Sequence, residues 1–527
     1  MPAREFETLV DLLEVRAAEN PDHEALFVEG RWWSFRELWW ESQRFAGYLA
    51  ERGNEPGARL IVAIPNRVEF FVAFYGCQLA GLIPVPVCPD YSIRRIRSLA
   101  LLCRAPAIVC SEEKHLTEGQ ETSPEDDIEL LTVGKGGARS SRRRFPRVEA
   151  SDVALILMTS GSTGDSKAVQ LTHSNILANL RSMIPRMKIT SRDVFVSWLP
   201  TFHDMGLILM TLAPFHQGAR LVLLPARSHP NLWLRSIEEY GGSVIASPDF
   251  GYRYCLYAVR KASGYQCGSL RLALNAAEPV RARTIADFET RFGLDHVFVP
   301  AYGLAESTAG VSCCEPGCPI RIDDEGRVSV GQPFPGVQVR IEEEAGAGSE
   351  RREGEILVKS PSNTVGYLDG SGRTTGLTDP DGYLRTGDLG YLDPQGQLFI
   401  TGRMKDMIIQ AGRNLAPGEV EEVIDELDVI RYSAAVGIER YRRPGEQVVV
   451  FAEVRRPDAG DRFYASLTRE IVNELHRQLG FRPGEVYLVR PQTISRTPNG
   501  KLRRSYLKEQ FLAGELHRSH SILFPQQ

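Results

Sequence analysis

The chain has no apolar run approaching the roughly 18 residues a membrane-spanning helix needs. It also has no surplus of positive charge: 62 Lys and Arg stand against 67 Asp and Glu, a formal charge of −5 over 527 residues. With no basic stripe along the chain, nucleic acid is excluded as the main partner. The run Arg142-Arg143-Arg144 reads as part of a solvated linker. Met1-Pro2-Ala3-Arg4-Glu5 leads into an acidic amphipathic segment instead of a signal peptide, which sets the expectation of a cytoplasmic protein without a transmembrane segment. The nine cysteines are scattered, and Cys77, Cys103, Cys110 and Cys255 lie in apolar segments, as buried free thiols do in a reducing compartment. Cys313-Cys314 with Cys318 lacks the second CxxC or the His pair of a structural zinc site. Internal repeats and low-complexity tracts are lacking too.

What is present is an ordinary globular composition, 43% hydrophobic and 24% charged, at a length that suggests three or four domains or subdomains. Through the first 400 residues strand-like runs (RLIVAIP at 59–65, GARLVLLP at 218–225, GGSVIASP at 241–248, LRLALNAA at 270–277) alternate with helix-like ones, such as RVEFFVAFYGCQLAG. This alternation predicts parallel sheets with helices on both faces. Residues 112–150 are polar and charged and read as a long surface excursion. From about 318, short alternating strands (GRVSVGQ, VQVRIEEE, GEILVKS) predict a small β subdomain. Beyond QLFITGR a small α+β unit follows. The expected fold is therefore a large α/β N-terminal region, with two αβ sheets and a small β subdomain, joined to a smaller α+β C-terminal unit.

Residues 154–172, ALILMTSGSTGDSKAVQLT, are the most informative stretch. Thr159-Ser160-Gly161-Ser162-Thr163-Gly164 sets two glycines among four hydroxyl residues, and Lys167 adds a cation at the far rim. Backbone NH groups and hydroxyls in such a loop can donate to an anion, and polyphosphate fits best. The spacing is not that of a Walker A loop, since Ser166 precedes Lys167 and the strand-like AVQLT follows; the helix begins only at Thr172 or Ser174. A hairpin-like loop gripping phosphate is predicted.

Four more segments follow: Ala301-Tyr302-Gly303-Leu304-Ala305-Glu306-Ser307, Tyr383-Leu384-Arg385-Thr386-Gly387-Asp388, Gly402-Arg403-Met404-Lys405-Asp406 and Pro498-Asn499-Gly500-Lys501. In this order and spacing, over residues 10 to 510, the chain resembles the adenylate-forming superfamily of acyl-CoA synthetases, adenylation domains and luciferase-like enzymes. SWLPTFHDMGLI (197–208), SPDFGYRYC (247–255) and NAAEPVRA (275–282) look most like its fatty acyl-AMP ligase branch.

The resemblance implies ATP, Mg²⁺ and a hydrophobic carboxylic acid. The loop 160–167 would hold the β- and γ-phosphates, Tyr302 and Gly303 the adenine, with Ala277, Glu278 and Pro279 as its other wall. Asp388 would accept the ribose hydroxyls, Arg403 would donate to ribose or α-phosphate, and Glu306 would hold Mg²⁺. Lys501 would bring charge to the carboxylate and α-phosphate, with His203 beside them; His203, Phe250, Gly251 and Tyr252 would line the acyl pocket. Residues 1–402 would form the acyl- and ATP-binding domain, 403–406 a hinge centred on Lys405, and 407–527 a mobile lid with Gly412 beside the thiol tunnel. Ser166 and Ala168 depart from the commoner Pro and Gly at those positions. Only LDGSGRTTGLTDPD (368–381) separates Gly366-Tyr367 from Tyr383, a length usual in acyl-CoA synthetases, so CoA is the expected thiol acceptor. A carrier protein is the alternative, as is a member performing one half-reaction.

Overall fold

The structure is a computed structural model describing residues 6–111, 128–134, 145–160, 166–259, 264–343, 352–410, 413–440, 443–497 and 502–525. Its largest sheet has nine strands, in the order Gln332–Pro333, Ser312–Cys313, Phe298–Tyr302, Leu272–Asn275, Val244–Ser247, Val194–Ser197, Arg220–Leu223, Glu24–Val28 and Arg31–Ser34. The run from Phe298–Tyr302 to Glu24–Val28 is parallel, as the alternation of strands and helices predicts. A second parallel sheet holds Ile83–Pro86, Arg59–Ala63, Ala107–Cys110 and Glu129–Thr132. Its last strand lies within the stretch read as a surface excursion: the short Glu129–Thr132, of which only Leu131 is buried, carries too weak a pattern to be seen alone.

The fold differs from expectation by a third sheet in the large region. Val153–Ser160 and Ser166–Thr172 form an antiparallel pair, extended by Gly366–Leu368 and Thr374–Thr375. A return this short between strands cannot make a parallel crossover, so the pair must be a hairpin. The helix then starts where the sequence placed it. Thr172 caps His173–Arg186 by accepting from the Asn175 backbone N–H (3.1 Å), while Asn175 Oδ1 accepts from the Thr172 N–H (3.0 Å). The small β subdomain is the antiparallel sheet Gln338–Glu343, Gly354–Lys359, Leu384–Leu392, Leu398–Arg403.

The C-terminal α+β subdomain packs Pro417–Asp425 and Asp461–Leu479 against a sheet of Ile430–Arg440, Arg443–Val454, Glu485–Val489 and Ile522–Phe524. Its two hydrophobic clusters draw no described residue from before Ile408. It meets the large region through polar contacts: Asp425 with Arg253 (3.0 Å) and Arg281 (3.1 Å), and Glu419 with Arg327 (3.2 Å). Among the described residues no helix is long and apolar enough to cross a membrane. Cys77, Cys103, Cys110 and Cys255 are buried, and burial pushes the Cys103 and Cys255 thiols up to about 12.

One buried group sets an acid limit on stability. His173 is 1% exposed, its Nδ1 accepts from the Leu9 N–H (3.1 Å), and burial pulls its pKa down to about 4. An unfolded chain titrates this histidine near 6.5, so as pH falls it takes up the proton first. The neutral histidine's contribution is full above about pH 6.5 and is lost as pH falls towards 4. Urea midpoints measured from pH 7 to 4.5 are expected to fall, with a slope of up to about 1.4 kcal/mol per pH unit from this group. His173→Gln, which keeps an acceptor but cannot titrate, should flatten that slope.

Candidate active site

Several of the predicted site residues lie at the C-terminal ends of the parallel strands, the usual ligand edge of an open α/β sheet. Phe298–Tyr302 ends on Tyr302, and Leu272–Asn275 runs into Ala276-Ala277-Glu278-Pro279 beside it. Ala277 adopts φ +71°, a left-handed conformation uncommon for a residue with a Cβ. Gly303 has to be glycine, since a Cβ there would lie 1.7 Å from the Ala309 carbonyl oxygen. The loop folds back on itself and is pinned from below. Asn179, fully buried on His173–Arg186, donates to the Gly310 carbonyl (2.8 Å) and accepts from the Gly310 N–H (3.2 Å).

Two hydrogen-bonded groups emerge from this frame. In the first, Tyr302 Oη donates to Asp388 Oδ2 (2.7 Å), and Arg403 Nε lies 3.5 Å from Asp388 Oδ1. Asp388 and Arg403 are paired across neighbouring strands. The TGD segment, read as a turn, is instead part of the strand Leu384–Leu392, with Gly387 at φ +71° supplying the local distortion. Burial opposes the charge on Arg403, but Asp388, Asp406 and Glu306 together raise its pKa, while burial and Asp388 raise that of the Tyr302 phenol. The first group thus offers a neutral ring, a carboxylate and a fixed cation.

In the second group, Lys167 Nζ donates to Tyr367 Oη (3.4 Å) and sits 4.6 Å from the centre of its ring, while Tyr367 Oη donates to Glu306 Oε1 (2.6 Å). Burial, then the Glu306 charge, raises the Tyr367 phenol pKa. Sequence reasoning used Tyr367 only as a landmark; it couples Lys167 of the hairpin to Glu306, the expected metal carboxylate. Thr159 pairs with Lys167 across the hairpin, and Ser160 with Ser166. Gly161, Ser162, Thr163 and Gly164 lie outside the described residues, as do Gly412 and Lys501. Lys405 is exposed in the turn after Arg403.

Separate from the residues of these two groups, a cavity of about 360 Å³ is lined by Trp198, Trp233, Phe250, Gly251, Tyr254 and Arg496, among others. Tyr252 is not among its lining residues: it is fully buried, donates to the Leu274 carbonyl (2.8 Å) and packs on Phe288 and Phe298. Residues two apart on a helix point to different sides, so Phe250 and Tyr252, both on Asp249–Ala258, cannot share one wall. His203 stands at the head of the π-helix Met205–Leu212, its ring 4.7 Å from that of Phe202. Glu278 accepts from the Phe250 N–H and faces Arg496 at 3.9 Å; burial raises its pKa and Arg496 opposes the rise.

This arrangement and the fold place the chain in a known class: it belongs to the AMP-binding enzyme family, matched over residues 13–368. It is an adenylate-forming ligase, similar to fatty acyl-AMP and acyl-CoA ligases. Among its relatives is a medium-chain-fatty-acid–[acyl-carrier-protein] ligase of Moorena producens, 29% identical over 98% of this chain and 97% of that one. Another is the 3-[(3aS,4S,7aS)-7a-methyl-1,5-dioxo-octahydro-1H-inden-4-yl]propanoyl:CoA ligase of Mycobacterium tuberculosis, 30% identical over 86% of this chain and 90% of the relative. A solved structure from work on fatty acyl-adenylate ligases of E. coli and L. pneumophila superposes with a TM-score of 0.84 at 26% identity, covering 98% of this chain and all of the other.

Proposed function

We propose that the protein is an acyl-AMP ligase that adenylates a hydrophobic carboxylic acid and delivers the acyl group to the phosphopantetheine thiol of a carrier protein. The observation that carries the acceptor is the near end-to-end similarity to an acyl-carrier-protein ligase, against shorter coverage by the CoA ligase. The short 368–381 segment favoured CoA. In the structure its first half is a tight return, Asp369 to Arg373, that adds Thr374–Thr375 to the phosphate-hairpin sheet. Its shortness is thus compatible with either acceptor.

In the first step a carboxylate oxygen of the acid bonds to the α-phosphorus of ATP and the bond to pyrophosphate breaks. The two anions must be brought together by fixed positive charge. Lys167 and the hairpin hold the β- and γ-phosphates, Tyr302 stacks on adenine, and Ala277, Glu278 and Pro279 wall its other face. Asp388 accepts from the ribose hydroxyls with Arg403 alongside. Glu306, one carboxylate among phosphate oxygens, is the donor set Mg²⁺ takes; bound there, the ion would neutralise the departing charge. Lys501 completes the field at the α-phosphate, with His203 beside it. In the second step the thiol sulfur attacks the acyl carbonyl and AMP leaves. A rotation about Lys405 would then exchange Lys501 for the thiol passage beside Gly412.

The test is to form the adenylate from a hydrophobic acid, remove free ATP, and add either excess CoA or a holo carrier protein. The reading requires discharge onto the carrier, seen by intact-protein mass, with acyl-AMP persisting in CoA. Rapid acyl-CoA formation with an unloaded carrier would make CoA the acceptor.

A further inference from the structure

The cavity beside Phe250 is not closed by the large region alone. Trp198, Trp233, Phe250 and Gly251 form one side, and Arg496 with Thr497, from the C-terminal subdomain, forms part of the other. The Arg496 guanidinium carbon lies 4.2 Å from the centre of the Tyr432 ring and 5.6 Å from that of Phe250, and Nη1 lies 3.9 Å from Glu278 Oε2. Its side chain is 19% exposed. The cation is therefore packed between an aromatic ring of its own subdomain, the Phe250 ring that lines the cavity and the Glu278 carboxylate.

The large-region wall is closely packed. A Cβ at Gly251 would fall 2.0 Å from Ser247 Oγ and 2.8 Å from Trp198, and the Trp198 and Trp233 rings pack edge to face at 6.0 Å. The cavity, about 360 Å³ and partly open to solvent where Arg227 and Ser228 also line it, is near the lower end of the range for small-molecule sites and has room for a compact acyl group. Arg496 forms an antiparallel bridge with Leu502, and the proposed catalytic Lys501 lies between them in the sequence, so the stretch that carries that lysine also carries this wall.

We propose that Arg496 sets the upper size limit of the acid: with the C-terminal subdomain seated, its side chain narrows the cavity and favours compact acids over long-chain ones. This rests on the reading of the cavity as the acyl site. It makes acid selectivity a joint property of the two halves of the enzyme, and assigns Arg496 a specificity role separate from the charge chemistry of Lys501.

Two measurements on the full chain test it. Acid-dependent pyrophosphate release is compared across linear acids of increasing length and 3-phenylpropanoic acid, for wild type, Arg496→Ala and Arg496→Met. Wild type and Arg496→Met, which keeps a long side chain, should favour compact acids. Arg496→Ala should raise the long-to-short ratio of kcat/KM by about tenfold or more. A uniform loss of rate with an unchanged ratio would overturn the proposal and leave Arg496 a seating contact only. The same acids are titrated without ATP against intrinsic tryptophan fluorescence, to which Trp198 and Trp233 contribute two of six tryptophans. If no acid yields pyrophosphate but the binding cut-off relaxes in Arg496→Ala, the ligase reading falls and the size limit stands. An unchanged cut-off rejects the size limit whatever the activity.

Discussion

Lys501→Ala is expected to lower adenylate formation by about 10²–10³ while leaving the thermal unfolding of the protein unchanged. The loss is large because the acid carboxylate and the α-phosphate are both anionic, and a cation placed at the developing transition state acts where water is excluded. The fold should be spared because the hydrophobic clusters of the C-terminal subdomain are formed without Lys501. Thioester formation from pre-made acyl-AMP should keep most of its rate, since the negative phosphates have by then parted. Equal loss of both half-reactions would give Lys501 a different role from the one proposed.

The second large effect is expected at Asp388. Asp388→Ala removes the acceptor proposed for the ribose and also the partner of Tyr302 Oη, which donates to it at 2.7 Å. Nucleotide affinity should fall by about 1.5–3 kcal/mol, the cost of lost hydrogen bonds to a charged group. Asp388→Asn keeps an acceptor for Tyr302 but not the charge, so it should lose less. Titration of ATP by calorimetry separates the outcomes, and affinity unmoved in Asp388→Ala would mean the ribose is held elsewhere.

Much of this was legible in the sequence where the determinant is local. Thr172 and Asn175 carry their own helix start, and five residues between Val153–Ser160 and Ser166–Thr172 impose a hairpin. The parallel strands announced themselves as short apolar runs. What the sequence hid depends on distant partners. Tyr367 reaches Lys167 only because Gly366–Leu368 pairs with Ser166–Thr172, residues some 200 positions apart. Arg496 was invisible for the same reason, since Phe250 and Glu278 meet it only when the C-terminal subdomain seats. Tyr252 lies beneath the cavity wall and not on it, because its direction on Asp249–Ala258 differs from that of Phe250.

The central claim is that this chain joins a hydrophobic acid to AMP. Purified protein, ATP, Mg²⁺ and a panel of hydrophobic acids, with no thiol present, should yield an acyl-adenylate by mass spectrometry together with stoichiometric pyrophosphate. ATP hydrolysed without any acid-dependent adenylate across the panel would contradict the account.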